Sequence, residues 1–301
     1  MANTIQEEIL ELKNKKNAVI LAHYYQTGDI IDIADMVGDS YALARQAKET
    51  KADIIVFCGV RFMAESAKIL NPERKVLLPA ANAGCPMADM VTPEDIRRLR
   101  SQYPDAAVAC YVNSTAETKA ECDVCVTSSN AVKVVSSLPQ KQVIFVPDKN
   151  LARFVADQLP EKEIIPFSGC CIVHDRLRTA DVDAALAAQP DALLLVHPEA
   201  PEEVTRRADY VGSTKGIIEY AHKSSHDKFI IGTEMGILHV LKQQNPDKQF
   251  FLLSPSLFCV NMKKTHIEDL RDALLYEQHE ITLDENIMDK ARVSLERMLA
   301  V

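Results

Sequence analysis

Gly84-Cys85-Pro86-Met87-Ala88 carries a cysteine that returns twice: Cys171 lies 86 residues on and Cys259 a further 88. Other residues keep the same interval. His23 is followed by Tyr111 after 88 residues and by His197 after another 86. Phe57, Phe145 and Ile231 are spaced 88 and 86. Ser40 in Gly38-Asp39-Ser40 is followed by Ser128 in Thr127-Ser128-Ser129-Asn130, 88 residues on, and then by Ser213 in Gly212-Ser213-Thr214, 85 further. Four markers that keep one period, each at its own place within the period, imply a triplicated chain.

The segments between the markers define the unit. Runs rich in Val, Ile and Leu predict strands at 17–22, 53–57, 75–78, 106–111, 142–146, 163–166, 192–196, 228–231 and 249–252. Helical patterns separate most of them, and Thr92-Pro93-Glu94-Asp95 has an N-cap, a first-turn proline and acids in series. This alternation predicts an α/β protein of three repeated αβα-sandwich units with parallel sheets, related by a pseudo-threefold axis. The units are expected at 1–91, 92–178 and 179–261, with the segment 262–301 packing back on the first. Each periodic cysteine follows the last strand of its unit, and His23, Tyr111 and His197 each end a strand. Ligands bind beyond the carboxyl ends of such strands, so three equivalent units would aim these residues at one point.

Composition limits the function. The 301 residues carry 34 Lys and Arg against 43 Asp and Glu, a net charge of −9, with no basic block. A nucleic-acid binder is not expected. Residues 1–13 read as an amphipathic helix with apolar Ile5, Ile9, Leu10 and Leu12 rather than a signal peptide. The longest apolar runs are too short to span a bilayer. A cytoplasmic protein is expected, whose eight cysteines are thiols or metal ligands rather than disulfides. Neither Gly-x-Gly-x-x-Gly nor a Walker loop is present, which removes the usual support for a nucleotide site.

Three thiolates at one point suit zinc or an iron–sulfur cluster. Zinc sites usually draw ligands from close pairs, whereas these are a unit apart and suit a cluster at a junction. A [4Fe–4S] cluster normally takes four cysteines, so three leave one iron open as a Lewis acid, which is the chemistry of a dehydratase or condensing enzyme. Cys170 competes with Cys171, but the period and the spacing in Cys171-Ile172-Val173-His174 favour Cys171. Cys122 and Cys125 fall out of phase and read as buried thiols, and Cys58 and Cys110 as small strand hydrophobes. His222, His226, His266 and His279 read as surface groups, and Lys263 and Lys264 as a solvated helix start. Glu234 reads equally as a site residue or a structural hydrogen-bond partner.

The segments Ile20-Leu-Ala-His-Tyr-Tyr-Gln26, Val37-Gly-Asp-Ser40, Gly84-Cys-Pro-Met-Ala88, Tyr111-Val-Asn-Ser-Thr115, Thr127-Ser-Ser-Asn-Ala-Val132, His197-Pro-Glu199, Asp209-Tyr-Val-Gly-Ser-Thr214, Gly232-Thr-Glu234 and Cys259-Val-Asn-Met-Lys-Lys264 resemble quinolinate synthase, in order along nearly the whole chain. The resemblance implies one [4Fe–4S] cluster per chain on Cys85, Cys171 and Cys259. It implies condensation of iminoaspartate with dihydroxyacetone phosphate to quinolinate, phosphate and water, within NAD biosynthesis. By motif position, His23, Ser40, Tyr111, Asn113, Ser128, His197, Ser213 and Thr214 are its substrate contacts. Tyr25, His174 and Glu199 are the candidates for proton transfer. Functional coupling to the enzyme that supplies iminoaspartate is a further expectation. The competing readings are another [4Fe–4S] hydro-lyase acting on a small acid, and a non-catalytic metal-binding sensor.

Overall fold

The computed structural model describes residues 4–301, so the first three residues of the expected N-terminal helix lie outside the described residues. One order of elements occurs three times. The first unit runs α1 (Ile5–Lys15), β1 (Ala18–His23), α2 (Gly28–Ile31), β2 (Met36–Gly38), α3 (Ser40–Glu49), β3 (Ile54–Cys58), α4 (Arg61–Leu70) and β4 (Lys75–Leu77). The second runs α5 (Pro93–Gln102), β5 (Ala107–Tyr111), α6 (Ala116–Ala120), β6 (Val124–Val126), α7 (Ala131–Ser137), β7 (Gln142–Val146), α8 (Lys149–Gln158) and β8 (Glu163–Pro166). The third runs α9 (Thr179–Ala188), β9 (Leu193–Val196), α10 (Glu202–Thr205), β10 (Tyr210–Val211), α11 (Thr214–Lys223), β11 (Lys228–Gly232), α12 (Ile237–Gln244) and β12 (Gln249–Leu252). A 3-10 turn at Met262–Lys264 and helices α13 (Ile267–Tyr276) and α14 (Glu285–Leu299) close the chain.

Each unit forms a four-stranded parallel sheet in which the first strand pairs with the second on one side and the third on the other: β2-β1-β3-β4, β6-β5-β7-β8 and β10-β9-β11-β12. The nine expected strands are present to within one residue at either end. The remaining three are β2 and β10, which the sequence does not show, and β6, where 124–127 reads as strand-like. They are edge strands of two or three residues, too short to show alternation. An aspartate precedes each and gives it a turn-like look in the sequence. In the structure that aspartate takes the amide of the neighbouring central strand: Asp35 accepts from Ile20 N at 2.8 Å, Asp123 from Val108 N at 2.7 Å, and Asp209 from Leu194 N at 2.7 Å. These three aspartates are themselves 88 and 86 residues apart.

Two-sided burial explains why the central strands are apolar throughout. In β3, Ile55 and Phe57 face the core shared with the second unit, while Ile54, Val56 and Cys58 face a second layer containing Ile9, Leu270 and Leu274 of α1 and α13. In β11, Phe229 and Ile231 face one layer and Ile230 the other. The marker residues Phe57, Phe145 and Ile231 are all core residues, and truncating a buried Phe such as Phe145 to Ala costs about 3–5 kcal/mol. The foreseen start of α5 is a capping box: Thr92 Oγ1 accepts from Asp95 N at 3.2 Å, and Asp95 Oδ2 accepts from Thr92 N at 3.1 Å.

The segment after Cys259 does not pack on the first unit alone. Helix α13 lies against α1 and β3, but α14 lies against α4 of the first unit and, more extensively, α6 and β6 of the second. Arg292 Nε donates to the Ile69 carbonyl at 3.0 Å, and Ser294 Oγ donates to the Lys119 carbonyl at 3.0 Å. The apolar face of α14 was legible as a packing face; its choice of partner depends on tertiary contacts. Among the described residues no helix is long and apolar enough to cross a membrane.

Candidate active site

One cavity of about 170 Å³ gathers residues from all three units at the carboxyl ends of their central strands. His23 and Tyr111 end β1 and β5, and His197 follows β9 directly. The loops after β4, β8 and β12 bring Cys85, Cys171 and Cys259 to the same cavity. Each loop is pinned by one repeated backbone bond, two residues before its cysteine: Arg61 N to Ala83 O at 2.8 Å, Lys149 N to Gly169 O at 2.8 Å, and Met235 N to Leu257 O at 2.9 Å. The second loop passes so close to the adjoining strand end that a Cβ on Gly169 would stand 2.6 Å from the Pro147 carbonyl oxygen. Only glycine fits there.

Every residue expected at the site lines the cavity except Ser213. Ser213 Oγ accepts from Gly216 N at 3.1 Å and caps α11. The correction follows from counting: Thr214 is 86 residues after Ser128, as Ser128 is 88 after Ser40, and all three line the cavity. Ser213 instead corresponds to Asp39, whose carboxylate caps α3 by accepting from Ala42 N at 2.9 Å, and to Thr127. Of the adjacent cysteines, Cys171 lines the cavity and Cys170 does not. Cys122 and Cys125 are buried elsewhere, their thiols against the Thr118 carbonyl and Ser294 Oγ. His222, His226, His266 and His279 are exposed.

A hydrogen-bonded chain crosses the cavity wall. Tyr111 Oη donates to Glu199 Oε1 at 2.6 Å, and Glu199 Oε2 lies 2.6 Å from His174 Nδ1. His174 Nε2 lies 2.9 Å from Thr233 Oγ1, which is 2.7 Å from Tyr25 Oη. Tyr25 Oη is also 2.9 Å from Thr214 Oγ1. Thr233, fully buried, joins the first and third units here; the sequence reading gave it no role, although it lies in the Gly232-Thr-Glu234 segment that carries the resemblance. His197 stacks on His174 with ring centres 4.9 Å apart, and its Nε2 meets Ser128 Oγ at 3.2 Å.

Burial decides most protonation states. It brings His23 down to about 3, with Lys263 and His197 adding to the effect, and His197 down to about 4. Both rings are neutral at ordinary pH. Burial opposes the Glu199 carboxylate, but the facing His197 and His174 and the bonds from His174 and Tyr111 outweigh it and hold the pKa well below the usual carboxylate range. Tyr25 and Tyr111 are pushed well above 10 by burial and then by the Glu199 charge, so both remain phenols. Asn113 Oδ1 is buried without a partner at the cavity, an acceptor free for a ligand. Arg176 is the one Arg or Lys among the described lining residues.

Two donor sets could hold a metal. Ligand atoms of Cys171, His174 and Glu199 lie within 4.8 Å of one another, but His174 and Glu199 already bond each other. The other set is the three cysteines. Cys85 lies close enough to Cys171 and Cys259 for a thiolate on one to oppose ionisation of the next. Burial pushes Cys85 up to about 12, and raises Cys171 and Cys259 as well. Soft donors that carry charge only when a cation compensates it fit an iron–sulfur cluster.

Fold and cavity together define a triplicated α/β enzyme with side chains that could hold a metal and a buried hydrogen-bonded network at the junction of its units. Residues 7–300 match the family model described as quinolinate synthetase A protein. Quinolinate synthase of Alkaliphilus metalliredigens is 56% identical over 98% of this chain and 97% of its own length. That of Caldicellulosiruptor saccharolyticus is 55% identical over the same shares, and that of Methanoregula boonei 54% identical over 99% and 98%. The chain belongs to the quinolinate synthase family.

Proposed function

We propose that this chain condenses iminoaspartate with dihydroxyacetone phosphate to form quinolinate, phosphate and water, with Cys85, Cys171 and Cys259 holding one [4Fe–4S] cluster. When bound, that cluster supplies an iron with an open position, a Lewis acid for substrate oxygen or nitrogen. The observation that carries the reading is the shared cavity: three thiols from three units beside an unbroken hydrogen-bond chain from Tyr111 to Thr214.

The chemistry needs an enamine carbon nucleophile, loss of phosphate, imine ring closure and dehydration, and each step moves a proton or expels oxygen. Glu199 is anionic and accepts protons. Tyr25 and Tyr111 remain phenols and donate them. His174 and Thr233 connect the two ends, so a proton taken at Glu199 can be returned at Tyr25 without passing through water. Neutral His23 and His197, with Ser40, Asn113, Ser128 and Thr214, orient the substrate, and Asn113 Oδ1 offers it an unused acceptor. Arg176, exposed at the edge of the cavity, is the cation available to the phosphate of the triose. The protein acts in the cytoplasm. Because an imine hydrolyses in water, coupling to the enzyme that forms iminoaspartate is expected.

The test is anaerobic reconstitution with iron and sulfide. The loaded protein should be brown, contain about four irons per chain, and form quinolinate from the two substrates. Cys171→Ala should lose iron, while Cys122→Ala should retain it. Loaded protein that makes no quinolinate would return the site to another hydro-lyase, and a colourless zinc protein would make it a metal-binding sensor.

A further inference from the structure

Two carboxylates, Asp148 behind the cavity and Glu234 in its wall, repeat one arrangement. Asp148 follows β7 and Glu234 follows β11, 86 residues apart, and each is fully buried. Asp148 Oδ1 accepts from Leu151 N at 2.8 Å, capping α8, while Oδ2 accepts from Cys171 N at 3.0 Å. Glu234 Oε2 accepts from Gly236 N at 2.7 Å and from Lys263 Nζ at 3.1 Å, while Oε1 accepts from Cys259 N at 3.1 Å. In both, one oxygen secures the chain just ahead and the other takes the amide of a cysteine 23 or 25 residues further on. The corresponding position of the first unit, 88 residues before Asp148, is Val60.

We propose that Asp148 and Glu234 are positioning residues that clamp the backbones of Cys171 and Cys259 so that their thiols meet the metal group at fixed places. This rests on the reading that these cysteines hold the cluster. Capping alone does not account for the pair: a serine would cap α8, and Glu234 begins no helix of its own. A buried carboxylate is costly unless its oxygens are bonded, and here both oxygens are in use. An amide side chain has a single acceptor and would turn its NH2 group toward one of the two backbone amides. Asp and Glu are therefore required as acids. Partners of this kind orient metal ligands, and their loss weakens metal retention by about 10- to 100-fold.

The full chain, loaded anaerobically with iron and sulfide, is challenged with a chelator and the rate of iron release followed. The unfolding midpoint of the metal-free protein is measured in parallel. Asp148→Ser, which can still cap α8 but does not reach Cys171, and Glu234→Gln should each release iron at least about tenfold faster than wild type. Asp284→Ala removes the cap of α14, a helix that packs on α4, α6 and β6. It should lower the unfolding midpoint and release iron at the wild-type rate. Wild-type rates in both carboxylate variants, or equal acceleration by Asp284→Ala, would overturn the clamp. A wild-type chain that takes up no iron would remove the cluster reading itself, and the clamp with it.

Discussion

Ser213 and Thr214 are neighbours in the chain with separate tasks: the Ser213 hydroxyl accepts from Gly216 N at 3.1 Å and starts α11, whereas the Thr214 hydroxyl lies at the cavity, 2.9 Å from Tyr25 Oη. The two are therefore separable by mutation. Ser213→Ala should cost about 1 kcal/mol of stability, as loss of an N-cap does, with kcat and KM for both substrates near wild type. Thr214→Val keeps the shape and the helix but removes a bond to Tyr25, and should lower kcat with little change in unfolding midpoint. Thermal unfolding with steady-state kinetics checks both; a kcat loss confined to Ser213→Ala would reverse the assignment.

Among the described residues the Thr233 hydroxyl alone bonds both His174 and Tyr25, so the proton route can be cut without touching either of them. Thr233→Val should reduce kcat by about 10²-fold, at the lower end of what a positioned proton carrier contributes, and leave KM nearly unchanged. Tyr25→Phe should lose at least as much. In the double variant the two losses should not multiply, because each breaks the same chain. Multiplicative losses, measured in single-turnover experiments, would show that the two residues act separately.

Much of this geometry was legible because the chain repeats. A phase of 88 and then 86 residues locates one loop, one strand end and one cap in every unit, so the three cysteines and the His23, Tyr111 and His197 positions could be placed together before any coordinates. The same count applied strictly separates Thr214 from Ser213, and matches Asp148 to Glu234; the serine at 213 misled because its residue type looked right while its phase was one short. What lay beyond reading was short or composite. Strands β2 and β10 have too few residues to alternate. Thr233 matters only through partners at positions 25 and 174. Helix α14 shows an apolar face, but its position between two units depends on packing partners such as Ile69 and Lys119.

Glu199 is bonded on both oxygens and buried, so its charge rather than its shape is what the cavity uses. Glu199→Gln keeps the volume but supplies an NH2 group where one of two donors now points. Activity should fall by about 10²–10⁴-fold, while the cluster still loads, since Glu199 is not among the three thiols. Quinolinate formation and iron content, measured on the same preparation, check this. A variant with full iron and wild-type turnover would take Glu199 out of the proton route.

Metal loading should depend on pH in a direction set by the thiols. Burial raises all three cysteines, Cys85 to about 12, so the metal-free site holds neutral thiols throughout the working range. Each must lose its proton to become a ligand, and loading therefore releases protons. Mass action then favours the loaded form as pH rises and the metal-free form as pH falls, with on the order of one proton per cysteine exchanged. Proton release into a weakly buffered anaerobic solution, together with iron retention between pH 6 and 9 (about three units of range below the raised thiols), measures the slope. Retention that improves on acidification would mean that the metal is held by groups other than Cys85, Cys171 and Cys259.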